Sequence, residues 1–427
     1  MPELINARWT PRFESGLSRR QRQGCTYQAY VPDPLCGRRW RFAGDVAADV
    51  ADAEQALARL DASARSLTSS EALARLLLRA ESVSSSRIEG LQIGGRRLLH
   101  AQAAAAAGQA PTDVSATEII ANIDAMAFAC DQVEAGTQIT LSTLLQTHRL
   151  LLAGTRLASH AGVVRIEQNW IGGSAYNPCN ASFIPPPPDR LPALLDDLVA
   201  FINDDHLPPV AQAAISHAQF ETLHPFADGN GRTGRALIHM VLRRRGLCRQ
   251  TLAPISLVLA TRADEYVDGL SATRTAPQSS GAVMDDAWDN WIGTFAAATV
   301  RAVGDARAFQ TTVERIQARW REQLPGLRAD ATASLLIDQL AAAPVLSVET
   351  AARLTSRSKQ AANEALRVLT EAGIVKQTTS GQRNRIFEAP ALISAFNALE
   401  RQLASPDADT RHSPPTRPAP ARAPHQT

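Results

Sequence analysis

The stretch His224-Pro225-Phe226-Ala227-Asp228-Gly229-Asn230-Gly231-Arg232-Thr233-Gly234-Arg235 is the most informative in the chain. Pro225 disfavours a helical conformation at His224, so a preceding helix should end with the imidazole at its mouth. Gly229 and Gly231 let the backbone turn tightly and come close to a ligand. A helix starting near Arg232 then offers free amides and the positive end of its dipole to an anion. Arg232 and Arg235 lie three apart on that helix and can flank the same anion. Asp228 suits Mg²⁺, which takes one or two carboxylates together with phosphate oxygens. Each feature alone has a structural reading, because a Gly-Asn-Gly turn is commonly just a turn. Together, a base, a metal carboxylate, a backbone nest and two arginines describe a phosphate-transfer site.

Helical periodicity surrounds this stretch. Val46, Val50, Ala53, Leu57 and Leu60 recur at three- and four-residue spacing, as do Ala72, Leu73, Leu76, Leu77 and Ala80. Further helices are expected over 117–130, 141–152, 191–202, 210–223 and 232–245, then around 262–274 and 288–302. Between Gly162 and Pro188 the rhythm breaks, and a short hairpin ending at Pro185–Pro188 is expected. The first ~45 residues read as loop with short strands, lacking clear periodicity. His217, Glu221 and His224 fall at i, i+4 and i+7, a spacing that raises a zinc site; the Asp-Gly-Asn-Gly nest would then serve nothing, and phosphate chemistry is preferred.

The twelve residues match the Fic signature HxFx(D/E)GNGRxxR at every defined position, and the chain is identified by resemblance with that family of protein adenylyltransferases. The resemblance implies an all-α bundle with a small β-hairpin flap, and ATP with Mg²⁺ as substrate and cofactor. His224 would take the proton of a Ser, Thr or Tyr hydroxyl on a target protein, and Asp228 would hold Mg²⁺. Phe226, Asp228, Gly229, Asn230, Gly231, Arg232, Thr233, Gly234 and Arg235 would form the nucleotide loop, with Phe226 packed inward as its anchor. Asn230 would also touch the α-phosphate, and the two arginines would hold the β- and γ-phosphates. Tyr266 resembles an aromatic near the nucleotide base, with core packing as its other reading. His148 and His217 read as buried structural histidines. Residues 162–173 and 183–188 resemble the two sides of the family's flap, which aligns target backbone by strand addition.

Ser85-Ser86-Arg87-Ile88-Glu89-Gly90 resembles the family's inhibitory motif (S/T)xxxE(G/N). By that resemblance Glu89, with Ser85, would pair with Arg235 and occupy the arginine meant for the γ-phosphate. The C-terminal segment resembles a winged helix-turn-helix, with helices at 335–340, 347–354 and 358–372 and strands at 374–377 and 385–387. In that reading Arg357, Lys359, Gln360, Asn363, Arg383 and Arg385 would face DNA. The expected division is 1–110 for the N-terminal region with its inhibitory helix, 111–310 for the catalytic core, 330–400 for the winged helix and 405–427 for a disordered tail.

Composition sets the outer bounds. With 45% hydrophobic and 20% charged residues among 427, the chain reads as soluble protein of two or three domains. Its 44 basic and 42 acidic residues nearly cancel, so any pull toward nucleic acid must be local. The five scattered cysteines suggest neither a disulfide framework nor a zinc site. No apolar run is long enough to span a membrane and no secretory signal opens the chain, so a reducing cytoplasm is expected. The expected activity is AMP transfer from ATP to a protein hydroxyl, restrained by Glu89. Alternatives are a nucleotide-sensing DNA-binding regulator and a Fic enzyme that removes AMP or moves another group. A second copy of the chain is a further candidate partner.

Overall fold

A computed structural model describes residues 2–10, 18, 24–65, 70–109, 113–379 and 385–403. Arg383 and the segment 405–427 therefore lie outside the described residues. Two antiparallel strands begin the chain, β1 (Glu3–Trp9) and β2 (Cys25–Val31), paired from Glu3 opposite Val31 to Trp9 opposite Cys25. Helices follow: α1 (Gly44–Arg65), α2 (Ser70–Ile88), α3 (Gly95–Ala106), α4 (Val114–Asp131) and α5 (Leu141–Leu151). After an irregular stretch come α6 (Leu191–Ile202), α7 (Pro209–Leu223), α8 (Asn230–Arg244), α9 (Ile255–Thr261) and α10 (Ala263–Ala272). The 43-residue α11 (Gly281–Gln323) leads to α12 (Thr332–Gln339), β3 (Val345–Ser347), α13 (Val348–Thr355) and α14 (Lys359–Glu371). Strands β4 (Lys376–Gln377) and β5 (Ile386–Glu388) and helix α15 (Pro390–Leu403) complete the order.

The protein is mostly helical, and the periodic apolar positions explain why. Val46, Val50, Ala53, Leu57 and Leu60 of α1 are all at most 2% exposed, turned toward α11. Helices α7 and α8 are different in kind. Every residue from Val210 to Leu223 is buried, as is every residue from Asn230 to Leu242, so both lie at the centre of the bundle. A helix buried all round is held on every side. The loop joining these two is the twelve-residue stretch, so it is anchored at both ends.

Two features of the helices and the flap depart from the sequence reading. Helix α11 runs unbroken past residue 310, where the catalytic core was expected to end. Its apolar residues, among them Phe309, Val313 and Trp320, remain buried beyond that point and keep the helix in the core. The flap between 162 and 188 closes on a single bridge, Ile171 opposite Phe183, rather than a ladder. Gly172 and Gly173 both adopt positive φ and turn the chain before pairing can extend, and the prolines remove donors beyond it.

The cysteine reading needs correction: Cys25 and Cys179 form a disulfide, with Cα atoms 5.7 Å apart across 154 residues of sequence. Spacing along the chain could not announce this pair. It arises because the first hairpin lies on the flap, where Trp9 meets Trp170 edge-on at 5.2 Å and the Tyr30 amide donates to the Ile184 carbonyl at 2.9 Å. No described helix is long and apolar enough to cross a membrane.

At the C-terminal end, β3, β5 and β4 form an antiparallel sheet in that spatial order, beside α12, α13 and α14. Ser347 caps α13 through the Thr350 amide, and Ser358 caps α14. Ile374 and Val375 are buried core residues before β4 rather than part of it. This unit is joined to α3 through Glu388, whose carboxylate accepts from Arg96, His100 and Lys376, each at 2.9 Å.

Candidate active site

Helix α7 ends at Leu223, and His224 takes φ 47°, ψ 57° as its left-handed cap. The Pro225 constraint made an end here legible; the positive φ was not. A non-glycine residue in this region must be held there by its surroundings. Two side chains do so. Arg165 donates Nε to the His224 carbonyl at 2.9 Å and Nη2 to the Pro186 carbonyl at 2.6 Å. Asn169 donates to the carbonyls of His224 and Phe226 at 3.3 and 3.0 Å. Both residues come from the flap, so flap and loop are tied together at the imidazole.

The loop is also closed on itself. Asn230 accepts from the Phe226 amide at 2.8 Å and returns a bond to the Phe226 carbonyl at 2.9 Å. Phe226, 1% exposed, stacks on His148 with ring centroids 3.7 Å apart, the inward anchor expected of it. His148 accepts the Gly162 amide at Nδ1 and donates Nε2 to the Asp228 carbonyl, both at 2.9 Å. Burial pushes its pKa down to about 4, so it is a neutral structural link.

Glycines in the loop have separate reasons. Gly229, at φ 76°, caps the start of α8. A Cβ at Gly234 would lie 2.6 Å from Glu221 Oε1, so this glycine serves contact with α7 and faces away from a ligand. A Cβ at Gly231 would lie 2.0 Å from Glu89 Oε1. The Glu89 carboxylate thus sits directly against the first turn of α8, where an anion would be drawn.

Arg235, 1% exposed, is fully engaged. Its Nη2 donates to Glu89 Oε1 at 2.7 Å and to the Ser85 carbonyl at 2.8 Å, and its Nε donates to Ser85 Oγ at 2.9 Å. The partners brought together here were separated by about 150 residues. Burial would raise the Glu89 pKa, but the charge and hydrogen bond of Arg235, with Arg232 and His224, hold it below the ordinary value. Glu89 keeps 38% of its side chain exposed, so water screens the pair more than a core location would allow.

Arg232 contrasts with Arg235. It is 5% exposed, its Nε and Nη1 make no hydrogen bond among the described residues, and Asp228 lies 3.6 Å away. A buried guanidinium with unmet donors is prepared for an oxyanion. Asp228 keeps 49% of its side chain exposed, so one hard oxygen donor faces the same space. That fits Mg²⁺, which needs few protein ligands when phosphate supplies the rest.

Burial, then the charges of Arg274 and Arg165, push the His224 pKa down to about 4. The imidazole is neutral near pH 7 and free to accept a proton. Tyr266, 4% exposed, bonds His217 Nε2 at 2.8 Å and packs behind Arg235 against Trp291, which is the core-packing reading of that residue. Glu221, raised in the sequence only as part of a zinc spacing, lies here beside His217 and within reach of the Arg235 charge. Burial raises its pKa to about 7, against the pull of Arg235, and its Oε1 has no hydrogen-bond partner among the described residues. Arg274 lies 3.8 Å over the Phe183 ring at the flap. Single charged residues carry no periodic signal, so the part each plays here could not be read from sequence.

The described positions expected to face DNA lie on and beside α14 and β5. Lys359 pairs with Glu349 at 3.1 Å, and Arg385 donates to Asn363 and lies over Phe387. Arg357 and Gln360 are exposed.

The Fic/DOC family model matches residues 138–242, and the Fic/DOC family N-terminal model matches residues 47–131. The chain is 33% identical over 132 residues to "Protein adenylyltransferase fic-1" of Caenorhabditis elegans, covering 30% of this chain and 23% of that one. It is 36% identical over 111 residues to "Protein adenylyltransferase Fic" of Drosophila melanogaster, covering 25% and 20%. The match thus spans under a quarter of the length of these relatives. In fold, a crystal structure of a Fic family protein from Desulfovibrio desulfuricans G20 superposes with a TM-score of 0.50 at 20% identity, covering 82% of this chain and 97% of that one.

Proposed function

The chain belongs to the Fic/DOC family, and on that premise we propose that it is a protein adenylyltransferase held in check by Glu89. The hydroxyl of a target Ser, Thr or Tyr gives its proton to neutral His224 while its oxygen attacks the α-phosphorus of ATP. The bond from that phosphorus to the β-phosphate oxygen breaks, AMP stays on the target and pyrophosphate leaves. Arg232, with its unmet donors, receives phosphate oxygens, and the amides opening α8 stabilise charge on the α-phosphate. Asp228 would hold Mg²⁺, which supplies charge neutralisation across the phosphates when bound. The flap, tied to the His224 carbonyl by Arg165 and Asn169, holds target backbone beside the base.

The observation that carries the reading is the Glu89 carboxylate on Gly231 and Arg235. A protein carboxylate there stands where the nucleotide's own anion would go, which accounts for both a phosphate site and its restraint. Glu89→Gly should raise AMP transfer by about tenfold or more, the effect of freeing one charge-assisted contact. His224→Ala should abolish transfer in either background, even with ATP bound. Radiolabel from α-labelled ATP on protein reads both. Equal labelling by wild type and Glu89→Gly removes the brake, and labelling by His224→Ala removes the base. The C-terminal unit we read as a winged helix, with domain limits as the sequence suggested apart from α11.

A further inference from the structure

A cavity of about 510 Å³ lies far from the loop, between the faces of α2 and α4 and the turn that follows α8. Asn230, in the loop, and Arg243, on the cavity wall, are thirteen residues apart on α8, roughly 20 Å along the axis. Four guanidinium groups line the cavity, from Arg75, Arg79, Arg243 and Arg249, against two carboxylates, Glu71 and Asp131. Leu78, Ile123, Ala127 and Leu252 supply an apolar wall.

We propose that this cavity is a second ligand site, for a small organic molecule carrying a phosphate group. Arg79 leads the argument. It is 8% exposed, with Nε given to Gln102 at 2.7 Å and Nη2 to the Ala342 carbonyl at 3.2 Å, while Nη1 has no acceptor among the described residues. Thr251, 4% exposed and also lining the cavity, has a hydroxyl with no partner among the described residues. Buried donors without acceptors are costly, and an oxyanion would satisfy both. Burial, with Arg75 nearby, lowers the Arg79 pKa to about 10, the sign of a cation lacking a counter-charge. The volume lies within the roughly 300–1,000 Å³ of small-molecule sites, and the apolar wall suits an organic body.

The position gives the site consequence. Arg79 bonds the C-terminal unit through Ala342 and belongs to α2, whose end leads directly to Glu89. The inference stands independently of what the Fic loop transfers, and its test is built to stay so.

AMP is titrated calorimetrically into the full chain carrying Asp228→Ala and Arg232→Ala, which cripple the loop, so that remaining heat reports the cavity. One saturable event is expected, weakened about tenfold or more by adding Arg79→Met and about fivefold by adding Thr251→Val. Thr251→Val is close to isosteric and Arg75→Ala alters only an exposed pair, so the test holds if Arg79→Met fails to fold. Absence of saturable heat in the crippled-loop chain overturns the proposal. So does an affinity that Thr251→Val and Arg75→Ala both leave unchanged in chains that melt like their parent.

Discussion

At the scale of single residues, two carboxylates and one imidazole decide how the site responds to its surroundings. With a pKa near 4, His224 stays neutral through the range in which an exposed histidine would protonate. Its lowered value means that the proton-accepting form is present above about 4 and is lost only as pH falls through that point. Transfer by Glu89→Gly should therefore hold level from pH 8 to 6 and decline toward 4, measured as initial rates of labelling. A half-loss near 6.5 would contradict the buried, neutral imidazole. Glu221, raised to about 7, is the other titrating group here, so a bend on that plateau that vanishes in Glu221→Gln belongs to it and not to His224. Glu89 itself contributes little to folding. Arg235 keeps Ser85 and Tyr266 when Glu89 is removed, and the Glu89 side chain of the lost pair is more than one-third open to water. Glu89→Gly should change unfolding free energy by no more than about 1 kcal/mol while the rate rises. A large destabilisation in a denaturant titration would mean the pair is structural.

At the scale of elements, the junction of α7, loop and flap is the device that holds His224 in its uncommon backbone state. Arg165 is central, being 7% exposed and donating to the carbonyls of His224, Glu167 and Pro186. Arg165→Met would remove these three bonds, leaving the His224 carbonyl to Asn169 alone, at a cost of about 3 kcal/mol, near 1 kcal/mol for each bond. Transfer should fall as well, because the cap of α7 loses its hold. Chemical denaturation and labelling of the Glu89→Gly, Arg165→Met chain read the two effects. Normal stability and normal rate would deny Arg165 this role. The same junction shows where sequence reading succeeds. Helix α6 was legible from its apolar spacing and the end of α7 from Pro225, both local signals. The loop was legible because its chemistry is contiguous from His224 to Arg235. Arg165, Asn169, Glu221 and Arg274 were not, since each acts through a partner that only folding brings near. Helix α9 is short and buried throughout, so it shows no amphipathic stripe to find.

At the scale of the whole molecule, long-range ties decide which parts move together. Glu388 ties the C-terminal sheet to α3, and Arg79 ties the turn after α12 to α2, so two contacts flank the segment bearing Glu89. At the opposite end, the Cys25–Cys179 bond closes a loop of 154 residues and holds the first hairpin to the flap. Constraining the unfolded chain over so long a loop stabilises the folded state by about 2–4 kcal/mol. Reduction should therefore lower the thermal midpoint of the wild type, and Cys179→Ser should match the reduced protein with or without reductant. The non-covalent contacts of Trp9 with Trp170 and Tyr30 with Ile184 do not depend on sulfur, so the hairpin should stay near the flap after reduction while gaining freedom. Hydrogen exchange of the flap amides measures that freedom. A faster exchange confined to residues around Cys179 is expected, whereas exchange spreading through α7 and α8 would mean that the tether supports the core rather than the flap. An unchanged midpoint under reduction, with the bond verified as broken by thiol counting, would show that the packed rings alone hold the hairpin in place.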